Sequence, residues 1–378
     1  MSQTENCQNV CCIALELSQS KWLCAFSPPD GNIRLHTVRA GDHGQLLEWL
    51  DRQQARADSD AGQSLHRVLC YEAGYDGFWL ARLLLQHDIR TVVFDPTSFL
   101  KPRRGRLAKT DRLDAEAMTR ILRSWLNGDR SVAREVRVPT VEEEDAKRIC
   151  RERKHLVNER TRLAGRIKGL CALHGVVVPG KGIGTRWASR IDHVLTGDGR
   201  PLPPCLKREI GRMLRRYDFV QDLIAEVEQD GRAMVAEATS SLPGREKVKS
   251  LATLGGVSET SALLLITEVY HRRYESRRHL ASFLGLAPSP YASGEVSRDR
   301  GISKAGNKLA RQTLVELAWS WLRYQPKSGL AVWWRERFAS AGMRGRKVGI
   351  VALARRLAIA FWRFVEDGVI PEGATVKA

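Results

Sequence analysis

The segment VCCIALELSQSKWLCAF, residues 10–26, contains two apolar runs that are separated by a polar turn. The first run is Val10–Leu17 and the second is Trp22–Phe26, and the turn sequence SPPDGN separates the second from a third run at Ile33–Val38. Short apolar runs with turn residues between them are typical of strands that follow one another in a sheet. The segment therefore predicts an antiparallel meander of three strands at the start of the chain.

Downstream of the meander, short strands alternate with helices. The apolar runs HRVLCY and IRTVVF predict strands at His66–Tyr71 and Ile89–Phe94. Apolar residues at helical spacing predict helices at Leu46–Leu50, Phe78–Leu85 and Asp111–Leu126. An antiparallel meander followed by this alternation predicts an α/β domain over residues 1–130, with a mixed sheet like that of ribonuclease H.

Beyond residue 140 the pattern becomes helical. Leucine or isoleucine recurs every seven residues from Ile149 to Leu170, which predicts one long helix from Val141 to about Leu173 with a coiled-coil seam. A second helical stretch, at about 206–236, is expected to pair with the first in antiparallel fashion. The two helices form a predicted coiled-coil linker at 141–240.

The C-terminal region, residues 247–370, is predicted to be a mainly α-helical domain. Two apolar helical stretches flank Gly255 and Gly256 within residues 251–269. Such a pair can be a helix-hairpin-helix that presents backbone amides to a DNA phosphate, although an ordinary αα-hairpin is the commoner meaning of the pattern. Residues 285–307 are predicted to be a loop, and helices are expected at 309–324 and 347–366.

The chain carries a large excess of positive charge. Its 378 residues include 61 Lys and Arg but only 43 Asp and Glu, so the net charge is +18. Residues 297–363 contain fifteen of the cations and three acids. A soluble chain this basic usually binds a polyanion, and the clustering of its cations favours a dedicated face for nucleic acid.

Membrane and secretory roles are not expected. The chain has no run of about twenty apolar residues, and no basic segment precedes its first apolar run. Its eight cysteines form no CxxC pair. They are therefore expected to be reduced thiols of a cytoplasmic protein, mostly buried as small apolar side chains.

Four carboxylates stand where elements of the α/β domain end or begin. Glu16 ends the first strand, Glu72 ends the HRVLCY strand, and Asp111 and Asp114 share one face at a helix start. Side chains at such positions can converge in an α/β sheet, and converging acids need a cation such as Mg²⁺ to offset their repulsion. The alternative is that the negative charge of Asp111 stabilises the N-terminal end of its helix, and that both glutamates lie in solvent at the ends of their strands.

A second candidate site is the serine segment, residues 287–308, which is rich in serine, glycine and cations. Glycines let backbone N–H groups approach a phosphate, and a serine such as Ser293 could attack phosphorus if a base or metal activated it. The alternative is a solvated surface loop. Cations that could neutralise a phosphate are Arg298, Arg300, Lys304 and Lys308.

The motifs KTDRLDA at 109–115, GLAPSPYASG at 285–294 and GISKAGN at 301–307 occur in an order that resembles the IS110 family of insertion-sequence transposases. The resemblance extends over nearly the whole chain. It implies a RuvC-like nuclease domain of DEDD type, a coiled-coil linker and a C-terminal transposase domain with a catalytic serine.

Carried over by position, the resemblance implies that the acidic ligands of Mg²⁺ are Glu16, Glu72, Asp111 and Asp114, and that Ser293 is the nucleophile. The family pattern usually has aspartate at the first position, where this chain has Glu16. Ser289 and Ser297 lie close to Ser293 in the sequence. The cations expected to contact nucleic acid are Arg298, Arg300, Lys304, Lys308, Arg160, Arg166, Lys109 and Arg112.

The resemblance further implies that DNA strands are cut and rejoined through a covalent phosphoserine intermediate, by a homo-oligomer, expected to be a tetramer, in the bacterial cytosol at the nucleoid. A structured non-coding RNA is expected to pair with the element ends and the target DNA. Two alternatives stay open: a RuvC-like nuclease or resolvase that hydrolyses DNA with metal-activated water, and a nucleic-acid-binding protein without catalysis.

Overall fold

The structure is a computed structural model that describes residues 9–74, 77–99, 110–178, 183, 187, 190–237, 242–293 and 296–377. The chain divides into two compact units, Met1–Pro139 and Thr140–Ala378. The predicted division into three domains stays a prediction. Within the described residues, no helix is both long and apolar enough to cross a membrane.

The first unit contains a five-stranded mixed sheet with the strand order β3-β2-β1-β4-β5. Strand β2 pairs in antiparallel fashion with both β1 and β3, whereas β4 pairs in parallel fashion with both β1 and β5. The predicted mixed α/β fold is therefore confirmed. Its elements are β1 Val10–Leu17, β2 Lys21–Ser27, β3 Arg34–Arg39, α1 His43–Ala61, β4 His66–Glu72, α2 Trp79–Gln86, β5 Arg90–Phe94 and α3 Asp111–Leu126.

Helices cover both faces of this sheet, which explains why β1 is apolar at nearly every position. Ile13 and Leu15 pack on the face that carries α1 and α2, whereas Cys12 and Ala14 pack against α3. A strand that is buried on both faces has a continuous apolar run instead of an alternating one. The polar residue Glu16 is thus an exception within the strand.

The second unit begins with two long antiparallel helices, α4 Val141–Ala172 and α5 Pro204–Ala236. Their direction follows from their ion pairs, because Arg153 near the start of α4 pairs with Glu228 near the end of α5, whereas Arg166 near the end of α4 pairs with Glu209. A capping box at Thr140 begins α4. The predicted antiparallel pairing is confirmed, and coiled-coil packing stays a prediction.

The remainder of the second unit is a helical core with one hairpin. Residues 285–307 were predicted to form a loop, which is wrong for 288–302, because β6 and β7 pair there as a two-stranded antiparallel ribbon. The sequence of the ribbon contains few apolar residues, which is why no strand was expected there. The elements are α6 Arg245–Ala252, α7 Glu259–Leu265, α8 Arg277–Phe283, β6 Pro288–Ser293, β7 Val296–Ile302, α9 Lys308–Tyr324, α10 Gly329–Phe338 and α11 Met343–Asp367.

Candidate functional site

Glu16 and Glu72 lie at the ends of adjacent parallel strands. The register of β1 and β4 pairs Leu15 with Tyr71, and each glutamate follows directly. Adjacent strands are about 4.8 Å apart, and residues at matching register in parallel strands point to the same face. Because Ala14 and Cys70 pack on the α3 face, Glu16 and Glu72 are also directed to that face.

Asp111 and Asp114 reach the same edge from the N-terminus of α3. The Thr110 side chain caps this helix by accepting a hydrogen bond from the Leu113 amide. The far end of α3 lies near the other edge of the sheet, where Arg123 donates to Ser27 at the end of β2. The helix therefore runs antiparallel to β1, and its acidic first turn lies at the edge where β1 and β4 end.

This acidic edge, defined as Glu16, Glu72, Asp111 and Asp114, is open to solvent. Glu72 and Asp111 are exposed, whereas Glu16 and Asp114 are half-buried. The Lys21 ammonium lies 3.3 Å from the Asp111 carboxylate, and both side chains are more than half exposed. Such an exposed ion pair contributes about 0–1 kcal/mol, so a stronger cation can displace the lysine.

The donor chemistry of the acidic edge suits a hard divalent cation, since all four predicted ligands are carboxylates on one face and one edge. Across the described ranges, no three carboxylate, imidazole or thiol side chains are grouped closely enough to enclose an ion. The fold thus brings the four acids to one place without closing a site around their oxygens. Cation binding would require rotation of these side chains.

Ser293 lies at the tip of the β6–β7 hairpin, where its backbone pairs with Val296. The hairpin begins at Pro288, which pairs with Ile302. At about 3.3 Å per residue, Ser293 stands roughly 16 Å beyond the base of the hairpin. The side chains of Ser293, Arg298 and Arg300 lie outside the part of the chain that the structure describes, as do those of Ser297 and Lys109.

The base of the hairpin is held by close backbone packing. Gly306 has φ +142°, and a Cβ atom there would collide with the Phe283 carbonyl oxygen. The Asn307 amide donates to the same carbonyl, and the Ser303 amide donates to Ala287. The motif GISKAGN therefore owes its second glycine to a backbone contact that leaves no room for a side chain.

The described cations among the predicted nucleic-acid contacts fall into two groups. Lys304 and Lys308, beside the hairpin, are exposed. Three others already have partners within the chain: Arg112 pairs with Glu116, Arg160 donates to Gln221, and Arg166 pairs with Glu209. The three arginines of the second group also form contacts within the protein, so their role in binding nucleic acid stays a prediction.

The glycine turn between α6 and α7 is covered by the C-terminal part of the chain. The Gly255 amide donates to the Thr375 carbonyl, and the Gly255 carbonyl accepts from the Gln325 side chain. The Gly256 carbonyl accepts from Ser320. The helix-hairpin-helix stays a prediction, and the Gly255 amide is already engaged within the protein.

A buried carboxylate that sequence analysis missed lies in the second unit. Glu268 is 4% exposed and occupies the π-helical turn Ile266–Tyr270, which continues α7. Its oxygens accept from Arg151 Nε at 2.7 Å, from Arg151 Nη2 at 3.3 Å and from Asn307 Nδ2 at 2.8 Å. Burial alone would raise the pKa of Glu268, but the hydrogen bonds and charge of Arg151, with Asn307, lower it below its ordinary value.

This network ties α4 and the residue before α9 to α7. Asn307 also caps α9, since its Oδ1 accepts from the Ala310 amide. The sequence does contain one signal for this site, a single acid within the apolar run ALLLITEV. A carboxylate that is buried in such a run is almost always paired, so a partner for Glu268 could have been expected. Glu268 thus holds the segment that follows the serine hairpin.

Comparison with known proteins gives matches over both units. A family model of DEDD type, described as a transposase, matches residues 18–174, and a model described as "Transposase IS116/IS110/IS902 family" matches residues 248–332. The first match includes Glu72, Asp111 and Asp114 but begins two residues after Glu16. The second includes Ser293.

Three relatives support the same assignment. The Sinorhizobium fredii NGR234 protein named "Putative transposase y4rJ" is 40% identical over 97% of this chain and 94% of its own length. A second protein of that strain, "Putative transposase y4qE", is 29% identical over 87% of this chain and 85% of its own. The "Transposase for insertion sequence element IS1111A" of Coxiella burnetii is 28% identical over 67% of this chain and 66% of its own.

The class that these matches define, consistent with the fold, is the DNA transposases, enzymes that act on DNA. Within that class, the chain belongs to the IS110 family of insertion-sequence transposases.

Proposed function

We propose that this transposase cuts and rejoins DNA strands of its insertion sequence through a covalent phosphoserine intermediate at Ser293, with Mg²⁺ bound at the acidic edge. The observation that carries the proposal is the placement of Glu16, Glu72, Asp111 and Asp114 on one face and at one edge of the sheet.

The acidic edge would hold the metal through its four carboxylates. When bound, a divalent ion polarises phosphoryl oxygens and stabilises the charge that develops on them. Before the ion binds, Lys21 neutralises part of the charge on Asp111. Glu16 is one methylene longer than the aspartate that the family pattern has, so its carboxylate can reach the same point from a backbone farther away.

In the proposed strand exchange, the Ser293 hydroxyl oxygen attacks a phosphorus atom of the DNA backbone. A new phosphodiester bond joins the serine to one strand end, and the bond to the other strand end breaks. The net proton transfer is from the serine hydroxyl to the departing oxygen. A hydroxyl of the partner strand then attacks the phosphoserine, which restores a DNA phosphodiester and the free serine.

The cations around the serine would stabilise this reaction. Arg298, Lys304 and Lys308 belong to the hairpin or its flank, and both lysines are exposed. Positive charge that is fixed near a developing phosphorane stabilises the transition state. Because each bond that breaks is replaced by one of the same kind, the exchange conserves bond energy and needs no nucleotide cofactor.

The proposed partners are the element ends, the target DNA and a guide RNA from the element. Base pairing by the RNA would supply sequence specificity, while basic side chains supply affinity through the phosphate backbone. A reaction that exchanges four strand ends calls for several copies of the serine, so we include a homo-oligomer, a tetramer, in the proposal. It would act in the cytosol at the nucleoid.

A covalent-trap assay tests the chemistry. Wild type and variants are incubated with magnesium, labelled DNA that carries the element junction, and RNA transcribed from the flanking region, and the products are separated on denaturing gels. A protein–DNA adduct is expected with wild type. It should be absent with Ser293→Ala and with Asp111→Asn.

Matched controls make this assay specific. Ser289→Ala and Ser297→Ala remove the nearest serines, and both variants should still form the adduct. Asp129→Asn removes a carboxylate that caps its own turn, away from the acidic edge, and should also form it. Cut DNA without any adduct would refute the phosphoserine and favour a hydrolytic nuclease, in which Ser293 has no covalent role.

A further inference from the structure

A groove in the second unit combines a basic rim with an apolar floor. It has a volume of about 1340 Å³ and lies between α8, the base of the β6–β7 hairpin, α10 and α11. Eight Lys and Arg line it, together with one carboxylate, Glu372. Among the residues that the structure describes, none of the eight cations forms an ion pair. Eight cations gathered around a single carboxylate favour an anionic occupant.

The groove follows one face of α11. Arg344, Val348, Arg355 and Arg363 lie along this face at helical spacing and all line the groove. The face from Arg344 to Arg363 is about 28 Å long at 1.5 Å per residue. That length suits a strand of several nucleotides, since single-stranded sites in proteins cover about 4–16 nucleotides.

The floor of the groove is apolar and open to solvent. Val348 is 58% exposed and Ile370 is 51% exposed, and both line the groove together with Leu330 and Trp333. Duplex DNA keeps the faces of its bases stacked inside and would present only sugars and phosphates to these side chains. An unpaired strand exposes the base faces, which pack well on apolar and aromatic surfaces.

One side of the floor carries a cation over an aromatic ring. The Arg356 guanidinium lies 3.9 Å from the centroid of the Trp333 ring, and the buried indole nitrogen of Trp333 has no hydrogen-bond partner among the described residues. Burial, with the nearby charge of Arg337, lowers the pKa of Arg356 from its ordinary value. Arginine side chains, like aromatic rings, can stack on unpaired bases, so the Arg356–Trp333 pair suits an exposed base face.

We infer that this groove binds an unpaired DNA strand, with the phosphates on the arginine rim and the bases against the apolar floor. Pro288 and Ile302 pair with each other at the base of the serine hairpin, and both line one end of the groove. A DNA strand that leaves the groove at this end therefore continues along the hairpin toward Ser293. The choice of DNA as the strand rests on the proposed function. A second copy of this chain is a poor occupant, because its net charge is also +18.

The binding test uses the full chain with Ser293→Ala in EDTA, so that no strand is cut. Fluorescein-labelled dT12 and a 12-base-pair duplex of mixed sequence are titrated by fluorescence anisotropy at several salt concentrations. The groove variant Arg355→Gln/Arg363→Gln is expected to bind dT12 about tenfold more weakly. The slope of the logarithm of the association constant against the logarithm of the salt concentration should become less steep by about 1.4, because each of the two lost phosphate contacts contributes about 0.7 for a single strand.

Matched variants separate the groove from general charge. Arg212→Gln/Arg215→Gln removes two exposed arginines of α5 and should change dT12 binding less than twofold. Val348→Asp alters the floor at an exposed position and should weaken dT12 binding without lowering the melting temperature. Photo-crosslinking of dT12 that carries 5-iodouracil should map to groove residues, Trp333 among them.

Three results would overturn the inference. Equal losses in the groove and α5 variants would mean that binding is unspecific, and equal losses for dT12 and the duplex would mean that the floor does not select unpaired bases. Weaker binding of labelled rU12 with unchanged dT12 binding would assign the groove to RNA. All of these measurements are independent of covalent chemistry at Ser293, so failure of the proposed function and failure of this inference are distinguishable.

Discussion

Arg151→Met is expected to destabilise the second unit at neutral pH, and the loss should shrink as the pH falls. The substitution removes the guanidinium that holds Glu268 through two hydrogen bonds, while it keeps an apolar stem of similar length. Asn307 remains as a partner of the carboxylate. Glu268 is 4% exposed, so in the variant a buried, charged carboxylate is left with the uncharged Asn307 amide as its hydrogen-bond donor.

The expected loss is about 2–3 kcal/mol in the free energy of unfolding. Removing one partner of a buried ion pair costs about 3–5 kcal/mol. The cost is smaller here because Asn307 still donates and because the Arg151 side chain is 55% exposed, so the pair is not fully desolvated. Glu268→Gln should cost less, about 1 kcal/mol, since the uncharged amide oxygen still accepts and the exposed guanidinium is hydrated.

The pH dependence follows from the pKa of Glu268. In wild type the folded-state pKa is lowered, so its contribution to stability is present above the unfolded-state value and is lost as the pH falls through the folded-state pKa. In Arg151→Met, burial dominates and raises the pKa, so the folded variant binds the proton more readily as the pH falls. The difference in stability between wild type and variant should therefore be smaller near pH 4 than at pH 7.

Amide hydrogen exchange by mass spectrometry measures this on the full chain. Peptides from 259–270 and 308–324 report the local free energy of opening around Glu268 and Asn307. The double variant Arg151→Met/Glu268→Gln should be more stable than Arg151→Met alone, because it contains no unpaired carboxylate. Equal, pH-independent losses in Arg151→Met and Glu268→Gln would refute this reasoning.

Gly306→Ala should destabilise the second unit by about 2–3 kcal/mol, because the new Cβ atom collides with the Phe283 carbonyl oxygen. Gly301→Ala should cost about 1 kcal/mol, because Gly301 has a positive φ but open space around it. Urea melts of the two variants measure this difference. Ser328→Ala should cost about 2 kcal/mol in a urea melt, since it removes both the cap of α10 and the acceptor of the buried Trp321 indole N–H. Iodoacetamide should label exposed Cys205 well before Cys11, because Cys11 is buried and its burial raises the pKa of the thiol to about 12. Equal labelling rates of the two cysteines in peptide mass spectrometry would contradict this prediction.

Local patterns predicted most of the first unit correctly. The three strands of the meander, the strands at β4 and β5 and the helix α3 all occur within a few residues of their predicted positions. The cysteines that the structure describes are also buried as expected, except Cys205. These features depend on short apolar runs and on the turn residues between them, which act over a few neighbours in the chain.

The serine segment and Glu268 show where local patterns were insufficient. The ribbon β6–β7 pairs two strands with few apolar residues, and the Gly306–Phe283 contact beside its base joins residues that are far apart in the sequence. The partners of Glu268 are 117 and 39 residues away in sequence. No local pattern specifies which distant donor a buried carboxylate meets.

By itself, the sequence determined most secondary elements of the first unit, the excess of positive charge and the four acids at the ends of elements. Each of these depends on the order of residues along the chain. The tertiary structure alone decided that the four acids share one edge and one face, since this requires the register of β1 against β4 and the direction of α3. It alone also decided that α11 faces a groove, because contacts between elements far apart in sequence select the buried face of a helix.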